Sequence, residues 1–277
     1  MKILGVDFTS TPGPRKSITA AHGRLRGRVL TIDSIEPIRD FPAFEALLAR
    51  PGPWIGGFDF PFGLPAELCE DLGWPRDWRK MVAHCANCDR AAWRRVLDAY
   101  RASRPVGHKY AHRVTDVPAG SSSPMKLVNP PVALMFHEGA PRLAASGVHV
   151  PGLAQGDPGR VALEAYPGLL ARSITRASYK NDARAKQTPA RAAARRRIVA
   201  ALARGESTLD VTLEPASPAL RRSLVADASG DALDAVLCAV QAAWASRQPR
   251  YGQPPRLPRG EGWIIAADRT GTRGETG

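Results

Sequence analysis

Short apolar runs recur along the chain, and several of them end abruptly at a carboxylate. Runs of four to eight apolar residues without helical spacing indicate buried β-strands. Three of these runs end at Asp7, Asp59 and Glu164. The predicted strands cover residues 2–7, 17–22, 28–35, 54–58 and 161–163.

Helical spacing of apolar residues marks other segments. Thr188 followed by Pro189 is a typical helix start, and Gly205 is a typical helix end, so a basic helix is predicted between them. The last predicted helix carries one apolar face, formed by Leu233, Val236, Leu237, Val240 and Trp244. The remaining predictions are helices at residues 42–49, 89–102 and 231–246, and a short final strand at 263–266.

The order of these elements predicts an α/β fold with a mixed sheet flanked by helices. Gly23 and Gly27 punctuate a short link, so the first three strands form an antiparallel meander. The fourth and fifth strands each follow a longer connection, and right-handed crossovers place them parallel to the first. A large insertion, with one clear helix and otherwise loops, separates them at about residues 65–158. We predict one domain over residues 1–268 and a disordered tail at 269–277.

Composition narrows the class of protein. The 277 residues carry a formal net charge of +13, which favours polyanionic partners such as nucleic acid, although a solvated Arg-rich surface is the plain alternative. Four cysteines do not suggest a disulfide scaffold. No stretch approaches the ~20 apolar residues of a membrane span. The sequence therefore predicts a soluble cytoplasmic protein without a membrane partner.

The strand-end carboxylates predict a metal site. If the first, fourth and fifth strands run parallel, Asp7, Asp59 and Glu164 share one edge of the sheet. Asp231 and Asp234 lie on one side of the last helix, which packs on that sheet. Taken singly, each acid is better explained as a loop or helix cap. Converging carboxylates repel one another unless a cation neutralises them, and oxygen ligands suit Mg²⁺ or Mn²⁺.

Six short motifs, in this order, carry a resemblance to a known family. They are GVDFTS (5–10), GGFDFPFGLP (56–65), LEAYPGLLAR (163–172), YK (179–180), GDALDAVLCAVQAAW (230–244) and EGWI (261–264). Together they resemble the family called domain of unknown function 429, whose members are predicted nucleases. The resemblance spans almost the whole chain and implies an RNase-H-like fold with a catalytic carboxylate set.

The resemblance also implies roles for individual residues. Asp7 and Asp234 match the acids on the first strand and the last helix of the RNase-H-like superfamily, which includes Holliday-junction resolvases. Asp59, Glu164 and Asp231 match less closely. We expect a hydrolase in which Asp7, Asp234, and Asp59 or Glu164 hold one or two Mg²⁺ or Mn²⁺ ions, and water attacks a phosphodiester. Lys180, or an Arg of the insertion, is expected to stabilise charge on the phosphate.

Parts of the sequence also fit two other kinds of site, a zinc site and a nucleotide-phosphate loop. Cys85, Cys88, His108 and His112 have the outline of a zinc site, but the gap between the pairs is long, and we do not expect zinc. GVDFTS also resembles the first phosphate loop of actin-like kinases and ATPases, which would make the protein nucleotide-binding or phosphoryl-transferring. That alternative needs a second similar domain. A non-catalytic nucleic-acid-binding protein is the third possibility.

Overall fold

The computed structural model describes residues 1–268, so the tail predicted at 269–277 lies outside the described residues. The strands of this part are β1 (Lys2–Asp7), β2 (Ile18–Arg26), β3 (Val29–Ile38), β4 (Trp54–Asp59), β5 (Val148–His149), β6 (Asp157–Glu164) and β7 (Thr212–Pro215). Its α-helices are α1 (Phe41–Leu48), α2 (Ala66–Asp71), α3 (Trp78–Ala86), α4 (Arg90–Ser103), α5 (Asp116–Ala119), α6 (Val132–Ala145), α7 (Pro167–Ile174), α8 (Pro189–Ala203), α9 (Pro218–Ala226) and α10 (Asp231–Ala245). Short 3-10 helices cover Arg184–Lys186 and Pro249–Gly252.

The strands form one mixed sheet in the order β5-β6-β4-β1-β2-β3-β7. Strands β1, β2 and β3 make the predicted antiparallel meander. Strand β4 pairs parallel with β1, and β6 pairs parallel with β4, also as predicted. The predicted α/β architecture is therefore confirmed, and two strands, β5 and β7, extend it at its edges.

The central strand β1 is buried on both faces, because helices cover both sides of the sheet. Ile3 packs in the core that contains α10, whereas Leu4 and Val6 pack in the second core with side chains of α1, α3 and α6. Successive side chains of a strand point to opposite faces. Odd-numbered residues of β1 therefore face α10, and this group includes Asp7.

The backbone of helix α10 lies directly against the backbones of β1 and β4. A Cβ atom built on Gly5 would lie 2.0 Å from the carbonyl oxygen of Ala235, and one built on Gly57 would lie 2.4 Å from that of Cys238. No side chain fits at either strand position. This close approach explains why α10 is almost wholly buried and apolar all round.

About half of the insertion between β4 and β6 is helical, which is more than the one clear helix that the sequence predicted. Five helices, α2 to α6, lie in it. Helix α6 contains Gly139 and Pro141, two residues that discourage helix formation. A Cβ atom on Gly139 would lie 2.7 Å from the Phe60 ring, so tertiary packing selects glycine there.

The chain after β6 differs from the prediction at two strands, and helices α7 and α9 were not predicted either. Strand β7 has four residues and forms by pairing with β3, which local sequence does not reveal. The strand predicted at 263–266 is reduced to one parallel bridge between Ile264 and Glu164. Within the described residues, no helix is long and apolar enough to cross a membrane.

We predict that Gly5→Ala destabilises the protein strongly, because the added methyl group would overlap the backbone of α10. The expected loss is at least about 2–3 kcal/mol in the free energy of unfolding, measured by chemical denaturation. Gly13→Ala is the matched control, since nothing lies within 4 Å of a Cβ atom there, and it should change stability by less than about 0.5 kcal/mol. Equal effects of the two substitutions would contradict the packing argument.

Candidate functional site

Three carboxylates converge where β1, β4 and α10 meet. Asp7 and Asp59 are register partners at the ends of their parallel strands, and both lie two residues after a glycine that faces α10. Asp234 lies in the first turn of α10 and is fully buried. The alternation of side chains along β1 and β4, together with the tight packing of α10, therefore places the three side chains on one face of the sheet.

A tyrosine and a lysine from one segment reach into this acidic cluster of Asp7, Asp59 and Asp234. The Tyr179 hydroxyl donates a hydrogen bond to Oδ1 of Asp234, at 2.5 Å. The Lys180 ammonium forms an ion pair with Oδ2 of the same carboxylate. Asp234 is thus held by two partners, whereas the side-chain carboxylates of Asp7 and Asp59 accept no hydrogen bond from the described residues.

Two features hold the Tyr179–Lys180 segment over the start of α10. Arg195 of α8 donates a hydrogen bond to the carbonyl oxygen of Tyr179, at 2.7 Å. Gly230, the residue before α10, has φ +81°, and a Cβ atom on it would lie 2.7 Å from Cβ of Lys180. Glycine at this position lets the lysine pass directly above the helix terminus.

The electrostatics of the acidic cluster are unfavourable. Burial raises the pKa of Asp7 well above its usual range, and Asp234 raises it further. Burial also raises the pKa of Asp59 to about 7 and raises that of Asp234, although the Lys180 ammonium offsets part of each shift. One lysine does not compensate three carboxylates, so ionising all three together is unfavourable in the folded protein.

Asp231 lies beside the acidic cluster but is already paired. Its Oδ1 atom lies 2.6 Å from the ammonium of Lys16, which also contacts Asp182 at 3.1 Å. Its charge still raises the pKa of Asp7. The predicted site residues Asp7, Asp59, Asp231, Asp234 and Lys180 are therefore brought together.

Glu164 is the predicted site residue that the structure places apart. It shares the sheet edge with Asp7 and Asp59. Because it is the register partner of Phe58 and not of Asp59, its side chain lies on the opposite face of the sheet, where the Phe62 amide donates a hydrogen bond to it at 3.0 Å. Arg113 donates to both of its oxygens, at 2.8 and 2.7 Å, and also pairs with Asp116. Glu164 lines the same cleft and its charge raises the pKa of Asp59, but Arg113 occupies both of its oxygens, and we leave it out of the proposed metal ligands.

The residues of the zinc outline lie at the end of α3 and in the loop that follows α4. Cys85 lies in the second apolar core, where burial raises the pKa of its thiol. Cys88 offers its carbonyl oxygen to the ring of His137, at 2.8 Å. His108 and His112 lie in the loop that follows α4.

The acidic cluster opens into a cleft of about 1180 Å³. The loop after β1 forms one wall, the insertion around residues 121–132 forms a second, and the segment 164–183 forms a third. Six cationic side chains line this cleft, namely Arg15, Lys16, Arg113, Arg172, Arg176 and Lys180. Carboxylates at the floor and cations on the walls are the arrangement that a phosphate ester with a divalent ion would need.

The donor set suits a hard divalent cation in its chemistry. Asp7, Asp59 and Asp234 offer only oxygen atoms, and two of the three carboxylates lack hydrogen-bond partners among the described residues. As they stand in residues 1–268, no three His, Cys, Asp or Glu side chains are grouped so that they could share a metal ion. Lys180 stands against Asp234, and its side chain is 42% exposed, so it has room to move away.

Sequence reasoning missed the roles of Lys16, Tyr179 and Arg195. Tyr179 had one signal, its place beside Lys180 in a motif shared with a family. Lys16 follows the Pro-Gly-Pro loop after the first acidic strand, and only the folded loop brings it to Asp231. Arg195 sits in a basic helix that the sequence presents as a solvated face.

Fold and site together define an α/β protein with a buried acidic cluster at the carboxyl ends of its central parallel strands. A family model described as "Protein of unknown function (DUF429)" matches residues 5–258, and the chain belongs to that family. The family membership that the six motifs indicated is thus confirmed. No curated protein and no solved structure matches the chain.

We predict that the acidic cluster costs stability at neutral pH. Because the folded-state pKa of Asp59 is about 7, well above that of an unfolded aspartate, ionising it is unfavourable in the folded protein. The cost is absent below about pH 4, grows as the pH rises to about 7, and stays constant above that. Without metal, Asp59→Asn should therefore be more stable than the wild type by about 1–3 kcal/mol at pH 8, and equal to it near pH 4.

Chemical denaturation in EDTA across this pH range measures the difference. Asp98→Asn on the exposed face of α4 is the control and should stay within about 0.5 kcal/mol of the wild type. Parallel stability profiles for the wild type and Asp59→Asn would show that Asp59 ionises without cost in the folded protein.

Proposed function

We propose that this protein is a divalent-metal-dependent nuclease that hydrolyses nucleic-acid phosphodiesters. The observation that carries the proposal is the convergence of Asp7, Asp59 and Asp234 on one face of the sheet, with a single lysine among them. A protein gains nothing in stability from burying three mutually repelling carboxylates. Such an arrangement makes sense if a cation more highly charged than lysine binds there.

Asp7, Asp59 and Asp234 are the residues that would hold Mg²⁺ or Mn²⁺. When bound, such an ion lowers the pKa of a water molecule and offsets charge that develops on the phosphate. Tyr179 would keep Asp234 oriented through its short hydrogen bond. Asp231, paired with Lys16, would add negative charge to the site without being a direct ligand.

Lys180 would pair with Asp234 in the metal-free protein and with a substrate phosphate when metal is bound. Without metal it neutralises Asp234, and the flanking carboxylates raise the pKa of its ammonium despite burial, so it stays charged. If Asp234 served as a metal ligand instead, the Lys180 ammonium would be free to pair with a phosphate oxygen of the substrate. Lys16, on the wall formed by the loop after β1, offers a second cation.

The RNase-H-like interpretation supports this proposal. An antiparallel β1-β2-β3 meander, β4 and β6 parallel to β1, an acid at the end of β1 and another on the last long helix are the features that the resemblance implied. The described residues form one sheet. The actin-like alternative, which needs a second similar domain, gains no support from it.

We predict that the wild-type protein binds Mn²⁺ and that Asp7→Asn lowers this affinity by at least about 100-fold. A direct ligand should matter more than an outer-shell partner, whose loss costs about 10–100-fold. Isothermal titration calorimetry measures the affinity, and Asp98→Asn is the control that removes a carboxylate far from the cleft. Cleavage of oligonucleotides should be lost in parallel with metal binding.

Two outcomes would contradict the proposal. A folded Asp7→Asn protein that cleaves at the wild-type rate would remove the acidic cluster from the mechanism. A wild-type protein that binds no Mn²⁺, even with an oligonucleotide present, would leave a non-catalytic nucleic-acid-binding protein as the better reading.

A further inference from the structure

Three arginines of the cleft carry charge that no carboxylate within residues 1–268 neutralises. Arg15, Arg172 and Arg176 are exposed and line the cleft, and none forms an ion pair within residues 1–268. Among the described residues Arg172 donates only to neutral groups, namely the carbonyl oxygens of Ala119 at 2.6 Å and Gly120 at 3.3 Å and the hydroxyl of Tyr166 at 3.2 Å. By contrast, Lys16 and Lys180 are matched by aspartates. Unpaired cations in a cleft attract a polyanion.

Tyr166 lies beside these arginines, directly after the end of β6. Its ring is partly buried, lines the cleft and has the Arg172 guanidinium 5.1 Å from its centre. A Cβ atom on Gly168 would lie 2.9 Å from Cζ of the ring, so the glycine lets the ring lie against the first turn of α7. The Tyr166 amide donates to Gln241 at 3.1 Å, which fixes the residue to α10. A ring held in this way is a suitable platform for a nucleobase.

The cleft is too small for a rigid duplex. Its volume of about 1180 Å³ is close to the roughly 300–1,000 Å³ of ordinary small-ligand sites. Asp7 and Asp59 line the cleft, but Asp7 is only 8% exposed, and Asp234 lies fully buried behind the lining residues. A phosphodiester must therefore enter between the walls, which a flexible single strand can do.

We propose that the cleft binds single-stranded nucleic acid, with a base stacked on Tyr166 and phosphates held by Arg15, Arg172 and Arg176. Arg15 lies on the wall after β1, and the other two arginines lie on the wall after β6. A strand held by both walls crosses the acidic cluster between them. This inference rests on the proposed function, because it assigns the substrate class of the same site.

Fluorescence anisotropy in EDTA tests the inference without cleavage. The probes are a labelled single strand of about 12 nucleotides, a duplex of the same sequence, and a mononucleotide as competitor. The single strand should bind more tightly than the duplex, although the higher charge density of the duplex would favour it on a merely basic surface. The mononucleotide should compete at least about 100-fold less well than the unlabelled single strand, because it fills one contact of several.

Two pairs of variants separate stacking from charge. Tyr166→Ala should weaken single-strand binding about 5- to 100-fold without changing its salt dependence. Tyr110→Ala is its control, since Arg101 lies 5.3 Å from the Tyr110 ring in the same arrangement outside the cleft. Arg176→Gln should reduce the slope of log K against log salt by about 0.7, whereas Arg222→Gln on exposed α9 should leave it unchanged.

The inference is overturned if the duplex binds as tightly as the single strand, if the mononucleotide competes as well, or if Tyr166→Ala behaves like Tyr110→Ala. Failure of the nuclease proposal would look different. In that case the single strand binds as expected in EDTA, but no metal leads to cleavage.

Discussion

The backbone contact between α10 and the two central strands is the constraint on which the site depends. Gly5 and Gly57 remove the side chains that would otherwise hold the helix away from β1 and β4. The helix then lies close enough for Asp234 to reach the strand-end carboxylates Asp7 and Asp59. Each aspartate lies two residues after its glycine in the strand, so its side chain lies on the same face of the sheet as α10. Packing and chemistry are thus determined by the same short segments of sequence.

That packing brings together groups that repel one another. Burial and mutual repulsion raise the pKa values of all three carboxylates, and Lys180 offsets only part of the unfavourable charge. The nearby buried carboxylate of Glu164 differs, because both of its oxygens accept hydrogen bonds from the guanidinium of Arg113. The acidic cluster lacks such a partner and is therefore the place in the described structure where a more highly charged cation has most to gain.

Much of the fold could be predicted from the sequence, because long apolar runs, bounded by glycine, proline or charged residues, define β1, β4, β6 and α10. The face to which Glu164 points could not be read from alternation, since a strand buried on both faces has no polar side. One signal was present: Asp7 and Asp59 each follow the pattern Gly-x-Asp, whereas Glu164 follows Ala162. Contacts such as that of Lys16 with Asp231 depend on how a loop folds, and local sequence does not encode them.

The central claim is that Asp7, Asp59 and Asp234 form a site for a divalent cation which Lys180 vacates. The most direct measurement is a crystal structure after soaking in Mn²⁺, with anomalous diffraction recorded at the manganese edge. The account predicts an anomalous peak among these three carboxylates, together with a Lys180 side chain turned away from Asp234. A map without manganese at the acidic cluster, with Lys180 still paired to Asp234, would contradict it.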